Sequence, residues 1–301
     1  MRLAVVVINW NSAAETVACA HSVTAWTRLA PVLWVVDNAS HDDSADIIAR
    51  QCPRARLIRS DVNRGFAGGN NLALHRALEE GSESVLLLNN DAIIDEDNVA
   101  RLIASLADDP RLGVVGPVLR DELQGLGRIS AGGRDISRHI VSRIVETRSA
   151  HDLSEAPALR RVDYVPGTVA LIRADLFRTV GLFDEEYFFG GELADFCLRA
   201  RHHGYESAID LRVIATHSLD RSAELRSTLH VYYIVRNRFL YIRKFRPNQK
   251  LPLYGFWTAY GLILLAKNLL GGRRRTARAV RLALLDGLAG RFGGQNERVL
   301  A

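Results

Sequence analysis

The 301-residue chain is 48% hydrophobic and 24% charged, with a net charge of +5. That composition is ordinary for a globular protein and leaves room for one large α/β domain plus an appendage. Three cysteines, Cys19, Cys52 and Cys197, form an odd set without metal-ligand spacing, which argues against a disulfide framework and suits a reducing cytosol.

The opening run, RLAVVVIN, is too short for a signal peptide and reads as a buried first strand. A helical pattern follows over residues 12–26, where Ser12 and Glu15 have the spacing of a capping box. VLWVVD is a second strand ending at Asp37, with a helix after it, and ARLIRS a third. GGNNLALHRALEEG (68–81) is helical, with Gly81 as its stop. ESVLLLNND is so apolar that it should lie centrally. The helix over 95–109 and the strand LGVVGPVL (112–119) complete the rhythm. Strands alternating with helices predict βα units and a largely parallel sheet.

Residues 120–160 lose this pattern and read as a hairpin or loop region. A strand, a small helix and an aromatic-rich turn then run from 162 to 191. The helix start GGELADFCLRA follows, and a last strand ends at His217. From about 224 the character changes. Residues 221–301 hold 16 Lys and Arg against 3 Asp and Glu, whereas residues 1–220 hold 23 against 31. ELRSTLHVYYIVRNRFLYIRKF is a long helical pattern, and LPLYGFWTAYGLILLA (251–266) is uncharged. That uncharged run is short of the ~20 residues that span a bilayer. Its aromatics and basic flanks suit a membrane-surface or re-entrant segment, and a helix packed on the main domain fits equally. Arginines interleaved with apolar runs suit lipid better than nucleic acid.

In open α/β sheets, ligands bind beyond the carboxyl ends of the strands. Asn9 and Asn11, Asp37 and Asn38, and Asn89, Asn90 and Asp91 all fall there, so one crevice would collect them. Each taken alone is an ordinary turn or cap residue. A hard divalent cation takes oxygen ligands. Asp91 can supply a carboxylate, Asn89 only a neutral amide oxygen, and His217 an imidazole that would favour Mn²⁺. In NRGFAGGNN (63–71), glycines precede a helix, where backbone amides can approach a phosphate or ribose. No GxGxxG, P-loop, GxSxG or HExxH pattern occurs. In GGELADFCLRA, spacings of three and four put Glu192, Asp195 and Arg199 on one helix face.

In chain order, VVVINWNS, VVDNASHDDS, NRGFAGGNN, LLLNND, PGTVALIRADLFRTVGLFDE, GGELADFCLRARHHGY and IATHS resemble a family 2 glycosyltransferase, most closely the bacterial rhamnosyltransferase-like branch. The resemblance covers residues 3 to about 218. It implies a GT-A fold, Rossmann-like with a mostly parallel central sheet flanked by helices, over residues 1–222. Residues 223–301 would be a helical, membrane-associated extension. Asp37 would hold a pyrimidine base, with Asn38, Asn63, Gly65, Phe66, Gly69 and Asn70 around the nucleoside and Asn9, Asn11, Asn89 and Asn90 in the same crevice. Asp91 and His217 would hold Mn²⁺ or Mg²⁺ on the diphosphate. The family usually writes the helix start Glu-Asp-x-Asp and uses the second residue as base, where this chain has Leu193. Either Glu192 is the base, or a shifted turn brings in Asp195 or Asp184, or the protein binds a sugar nucleotide without transferring it.

The resemblance thus implies an inverting, metal-dependent enzyme of cell-envelope glycan synthesis. It would carry a sugar from a UDP or dTDP donor to a hydroxyl of a lipid-linked or polysaccharide acceptor. Its expected place is cytoplasmic, on an anionic membrane face, with no nucleic-acid partner. The alternative is a non-catalytic scaffold that binds nucleotide sugars.

Overall fold

A computed structural model describes residues 2–121, 129–146, 158–217 and 224–301. The first half follows the alternation read from the sequence: β1 (Leu3–Asn9), α1 (Ala13–Thr24), β2 (Val32–Asp37), α2 (Ser44–Gln51), β3 (Arg56–Arg59), α3 (Gly65–Glu79) and β4 (Ser84–Leu88). After β4 come the two-residue β5 (Ala92–Ile93), α4 (Glu96–Asp108) and β6 (Leu112–Asp121). Asp95 caps α4, its side chain accepting from the Asn98 amide at 2.7 Å. The capping box expected on α1 does not form. Ser12 donates instead to the Glu15 carboxylate at 2.9 Å.

The region predicted as hairpin or loop contributes β7 (Ile129–Gly133), β8 (Arg143–Glu146) and β9 (Leu159–Val162). β10 (Val169–Arg173), α5 (Ala174–Val180), α6 (Glu192–His202) and β11 (Glu206–His217) follow. The sheet runs in the order β3-β2-β1-β4-β10-β6-β11-β5. It is parallel from β3 to β4 and again between β6 and β11. β10 inserts antiparallel to both β4 and β6, which makes the whole sheet mixed.

The unbroken apolar strands are explained by cover on both faces. Ala4, Val6, Val36, Val85 and Leu87 pack in one core with Leu74 of α3 and Phe196 of α6. Their neighbours Val5, Val7, Val35, Leu86 and Leu88 face α1, α2 and α4. Polar residues can then begin only where the strands end.

A third core belongs to the C-terminal helices α7 (Glu224–Phe245), α8 (Lys250–Leu270), α9 (Arg274–Ala289) and α10 (Asn296–Leu300). The boundary expected at 222/223 lies outside the described residues. The segment 251–266 lies within α8, one continuous helix. Among the described residues no helix is long and apolar enough to cross a membrane. α8 nevertheless turns Leu251, Phe256, Leu262, Ile263, Leu269 and Leu270 to solvent.

Candidate active site

Two strand ends build the first part of the site. Asn9 closes β1 and Asp37 closes β2, and they are register partners. Asn9 is fully buried and donates its amide to the Asp37 carboxylate at 2.7 Å. Ser40 donates to the same carboxylate oxygen at 2.6 Å and receives the Asn11 amide at 2.9 Å. Asn11 sits at φ 52° and uses its side-chain oxygen to cap His41. Asn9 and Asn11 therefore hold Asp37 in place and are themselves occupied. Ser40, which the sequence reading passed over, ties the group together. A second cavity, about 370 Å³, is lined by Asp37, Ser40, Arg59 and Asp61.

The loop before α3 differs from its expected role. The helix starts at Gly65 rather than at Gly68, and the amides of Phe66 and Ala67 both donate to the Phe188 carbonyl, at 2.7 and 3.2 Å. These amides are spent on the protein itself, so they form no phosphate cradle. Gly65 has φ +67°, and a Cβ there would lie 2.2 Å from that carbonyl. Asn38 and Asn63 bind each other and the loop backbone. Asn70 turns back to the Phe66 carbonyl at 2.8 Å, and Gly69 gives Ile8 and Asn38 room. Of this group only Phe66 lines the larger cavity described below.

The fourth strand end meets the last strand. β5 pairs antiparallel with β11, setting Ala92 opposite His217. Asp91, one residue earlier, thereby comes within 3.1 Å of His217, Oδ1 to Nε2. His217 is buried, while the Asp91 side chain is about a quarter exposed. A carboxylate and an imidazole in contact at a strand end suit a divalent ion whose remaining ligands come from a diphosphate. Among the described residues no group of three such side chains exists. Asn90 turns away to Thr16 of α1 at 3.0 Å. Asn89 lines the larger cavity.

That cavity, about 420 Å³, is bordered by Asn89, Phe66, Gly167, Thr168, Tyr164, Gly190, Gly191 and Glu192. Glu192 is the first residue of α6 and follows Gly191, whose φ of +109° suits glycine alone. Its side chain is buried, and one carboxylate oxygen has no hydrogen-bond partner. Burial pushes its pKa up to about 7, with the Asp195 charge adding to the rise. A carboxylate poised near neutral pH, with a free oxygen on a cavity, has the properties of a general base.

Asp195, expected as its catalytic companion, does other work. It is fully buried, with Arg199 at 2.6 Å on one oxygen and Lys244 of α7 on the other. Lys244 also bonds Asp184 at 2.6 Å. Both alternative bases are thus held by cations, and neither lines the cavity. Leu193, at the family's usual base position, packs in the core beside Gly167 and Phe66 and forms part of the cavity floor.

α7 anchors the turn before Glu192. Arg236 and Asn237 are buried and bind the carbonyls of Glu186, Tyr187, Phe189 and Gly190. The turn that delivers Glu192 is therefore anchored by the C-terminal helices. The signal lay in YYIVRNRF, where polar residues interrupt an apolar helix face.

The sequence model of glycosyl transferase family 2 matches residues 4–180. The chain belongs to that family. It is an enzyme, a glycosyltransferase. It is 25% identical over 249 residues to the low-salt glycan biosynthesis hexosyltransferase Agl10 of Haloferax volcanii, covering 79% of this chain and 74% of that one. It is 25% identical over 222 residues to the dTDP-rhamnosyl transferase RfbF of Shigella flexneri, covering 70% of each. The N-acetylglucosaminyl-diphospho-decaprenol L-rhamnosyltransferase of Mycobacterium tuberculosis is 22% identical over 271 residues, covering 84% and 88%. Among solved structures, a mannosyltransferase from Pyrobaculum calidifontis in complex with GDP-Man and Mn²⁺ superposes with a TM-score of 0.59. It is 18% identical and covers 96% of this glycosyltransferase and 88% of itself, a likeness of fold.

Proposed function

We propose that the glycosyltransferase inverts the anomeric carbon, using Glu192 as its base. The observation that carries this reading is the buried Glu192 side chain at the cavity, one of whose carboxylate oxygens has no hydrogen-bond partner. Glu192 takes the proton of an acceptor hydroxyl. The acceptor oxygen forms a bond to the anomeric carbon while the bond from that carbon to the diphosphate breaks on the opposite face. Asp91 and His217 would hold a divalent ion, which supplies charge stabilisation for the departing diphosphate when bound. Asp37, fixed by Asn9 and Ser40, faces the smaller cavity and is suited to accept hydrogen bonds from a donor base.

The donor we favour is a UDP- or dTDP-sugar, and the acceptor a lipid-linked or polysaccharide hydroxyl. Mn²⁺ appears with bound GDP-Man in the Pyrobaculum mannosyltransferase, so GDP belongs in any test. The apolar face of α8, flanked by the exposed Arg273, Arg274 and Arg275, suits peripheral contact with an anionic membrane. Calorimetric titration with UDP, dTDP and GDP, each with and without Mn²⁺, tests the donor side. Metal-dependent binding of one pyrimidine diphosphate is expected. Binding of none in any combination would refute the assignment of the crevice.

A further inference from the structure

Two arginines on α7, two residues apart, are both buried, and they are used differently. Arg236 spends its donors on the carbonyls of Glu186, Tyr187 and Gly293 and on Asn237. Arg238 is 7% exposed and, among the described residues, bonds the carbonyls of Ile234 and Ile140, each at 2.9 Å. A guanidinium has five N–H donors, and its Nε has no partner. Its carbon lies 4.1 Å over the Trp257 ring of α8. Among the described residues no carboxylate pairs with it. Burial lowers its pKa to about 10, so it keeps its charge at neutral pH.

An isolated buried cation is costly unless a counter-charge reaches it. Arg238 lines the same cavity as Glu192, and among the described residues that line it Glu192 is the one carboxylate. Other polar side chains at the cavity, among them Arg143, Ser142 and Tyr164, can donate. Asp37, Asp91 and His217 do not line this cavity, whereas Asn89 and Phe66 do; with Glu192 as the proposed base, it would hold the acceptor beside the donor. Its rim carries the exposed apolar side chains Ile140, Val141 and Phe189.

We propose that Arg238 is the anion-binding residue of the acceptor subsite, selecting an acceptor that carries a phosphate or diphosphate with an apolar tail crossing Ile140 and Val141. A guanidinium fork matches phosphate oxygens two at a time. The rim then keeps the tail partly out of water. This inference rests on the glycosyltransferase reading of the cavity.

The test is calorimetric binding to the full chain in EDTA, which silences the Asp91–His217 pair. The probes are farnesyl diphosphate, farnesol and inorganic pyrophosphate, with UDP plus Mn²⁺ measured in parallel. Farnesyl diphosphate should bind the wild type. Arg238→Met should weaken it ~10–100-fold, the range for lost hydrogen bonds to a charged group. Arg238→Lys should recover part of the loss, and Asp91→Asn should leave it unchanged. Pyrophosphate binding as tightly as farnesyl diphosphate would support the anion site and overturn the lipid tail. Farnesol binding as tightly would overturn the anion site. No farnesyl diphosphate binding by the wild type, with UDP binding intact, would overturn this inference alone. Loss of both would overturn the reading of the whole site. The wild-type comparison of the three probes needs no variant to fold.

Discussion

The two sides of the crevice are built by different means. On the proposed donor side, each candidate residue stands at or just beyond a strand end, and the sheet carries it there. Asp37 ends β2, Asp91 follows β4, and His217 ends β11. On the acceptor side, Glu192 stands on a turn whose carbonyls are held by a helix more than forty residues later in the chain. Strand pairing within the sheet places the first group, even bringing Asp91 to His217 across 126 residues of chain, whereas packing of α7 against the turn places the second. The first should therefore tolerate damage to the C-terminal helices better than the second.

The sharpest way to break this comparison is at Glu192. Glu192→Gln is expected to lower kcat by ~10²–10⁴-fold, the usual worth of a general base, with donor binding unchanged. Steady-state kinetics at saturating donor decide it, and an unchanged rate would move the base elsewhere. Asp195→Asn should instead cost stability, about 3 kcal/mol, because Arg199 and Lys244 would face each other without their buried partner. Denaturant unfolding measures that loss. A large kcat effect in a still-folded Asp195→Asn protein would return a catalytic role to it.

Next in size is the anchor on α7. Asn237→Ala removes bonds to the Tyr187, Phe189 and Gly190 carbonyls. It should lower kcat about tenfold or more by loosening the turn, while UDP binding with Mn²⁺ stays within about twofold. Equal losses in both would mean that the acceptor and donor sides are not separable. Asp91→Asn should do the opposite, weakening metal-dependent nucleotide binding by ~10-fold or more without changing the melting temperature by more than a few degrees.

The smallest expected effect is on pH dependence. Glu192 is held up near 7 by burial, above its ordinary 4.5. The folded state therefore binds the proton more tightly than the unfolded chain. This group's contribution to stability is fully present below about pH 4.5 and is lost as pH rises through about 7. Activity should rise over the same window as the base ionises, with an apparent pKa near 7 in kcat/KM. Glu192→Gln should remove the stability slope, and a slope that survives would assign it to another group.

Much of the donor side was legible in the sequence. The strands RLAVVVIN, VLWVVD and ESVLLLNND are apolar throughout because both sheet faces are covered, and the change to Asn or Asp marks where cover stops. At Asn9 and Asn38 the same signal marks side chains that bond neighbouring groups of the protein. A strand-end asparagine reads alike whether it faces ligand or supports the residue that does. The glycines of NRGFAGGNN were visible, but their purpose was not, since the Phe188 carbonyl that occupies the amides comes from a turn far along the chain.

The sequence by itself determined the alternation of strands and helices in the first half, the family, and most of the residues considered for the site. Those follow from local alternation, from apolar runs and from motif spacing, which survive without three-dimensional context. Only the tertiary structure separated Glu192 from Asp195. The two lie three residues apart on one helix, and no local rule distinguishes them. The difference arises because α7 presents Lys244 to Asp195, beside the Arg199 of its own helix, and leaves a cavity in front of Glu192. Charge pairing and burial are properties of what packs against a residue, so they become definite only when the distant helix arrives.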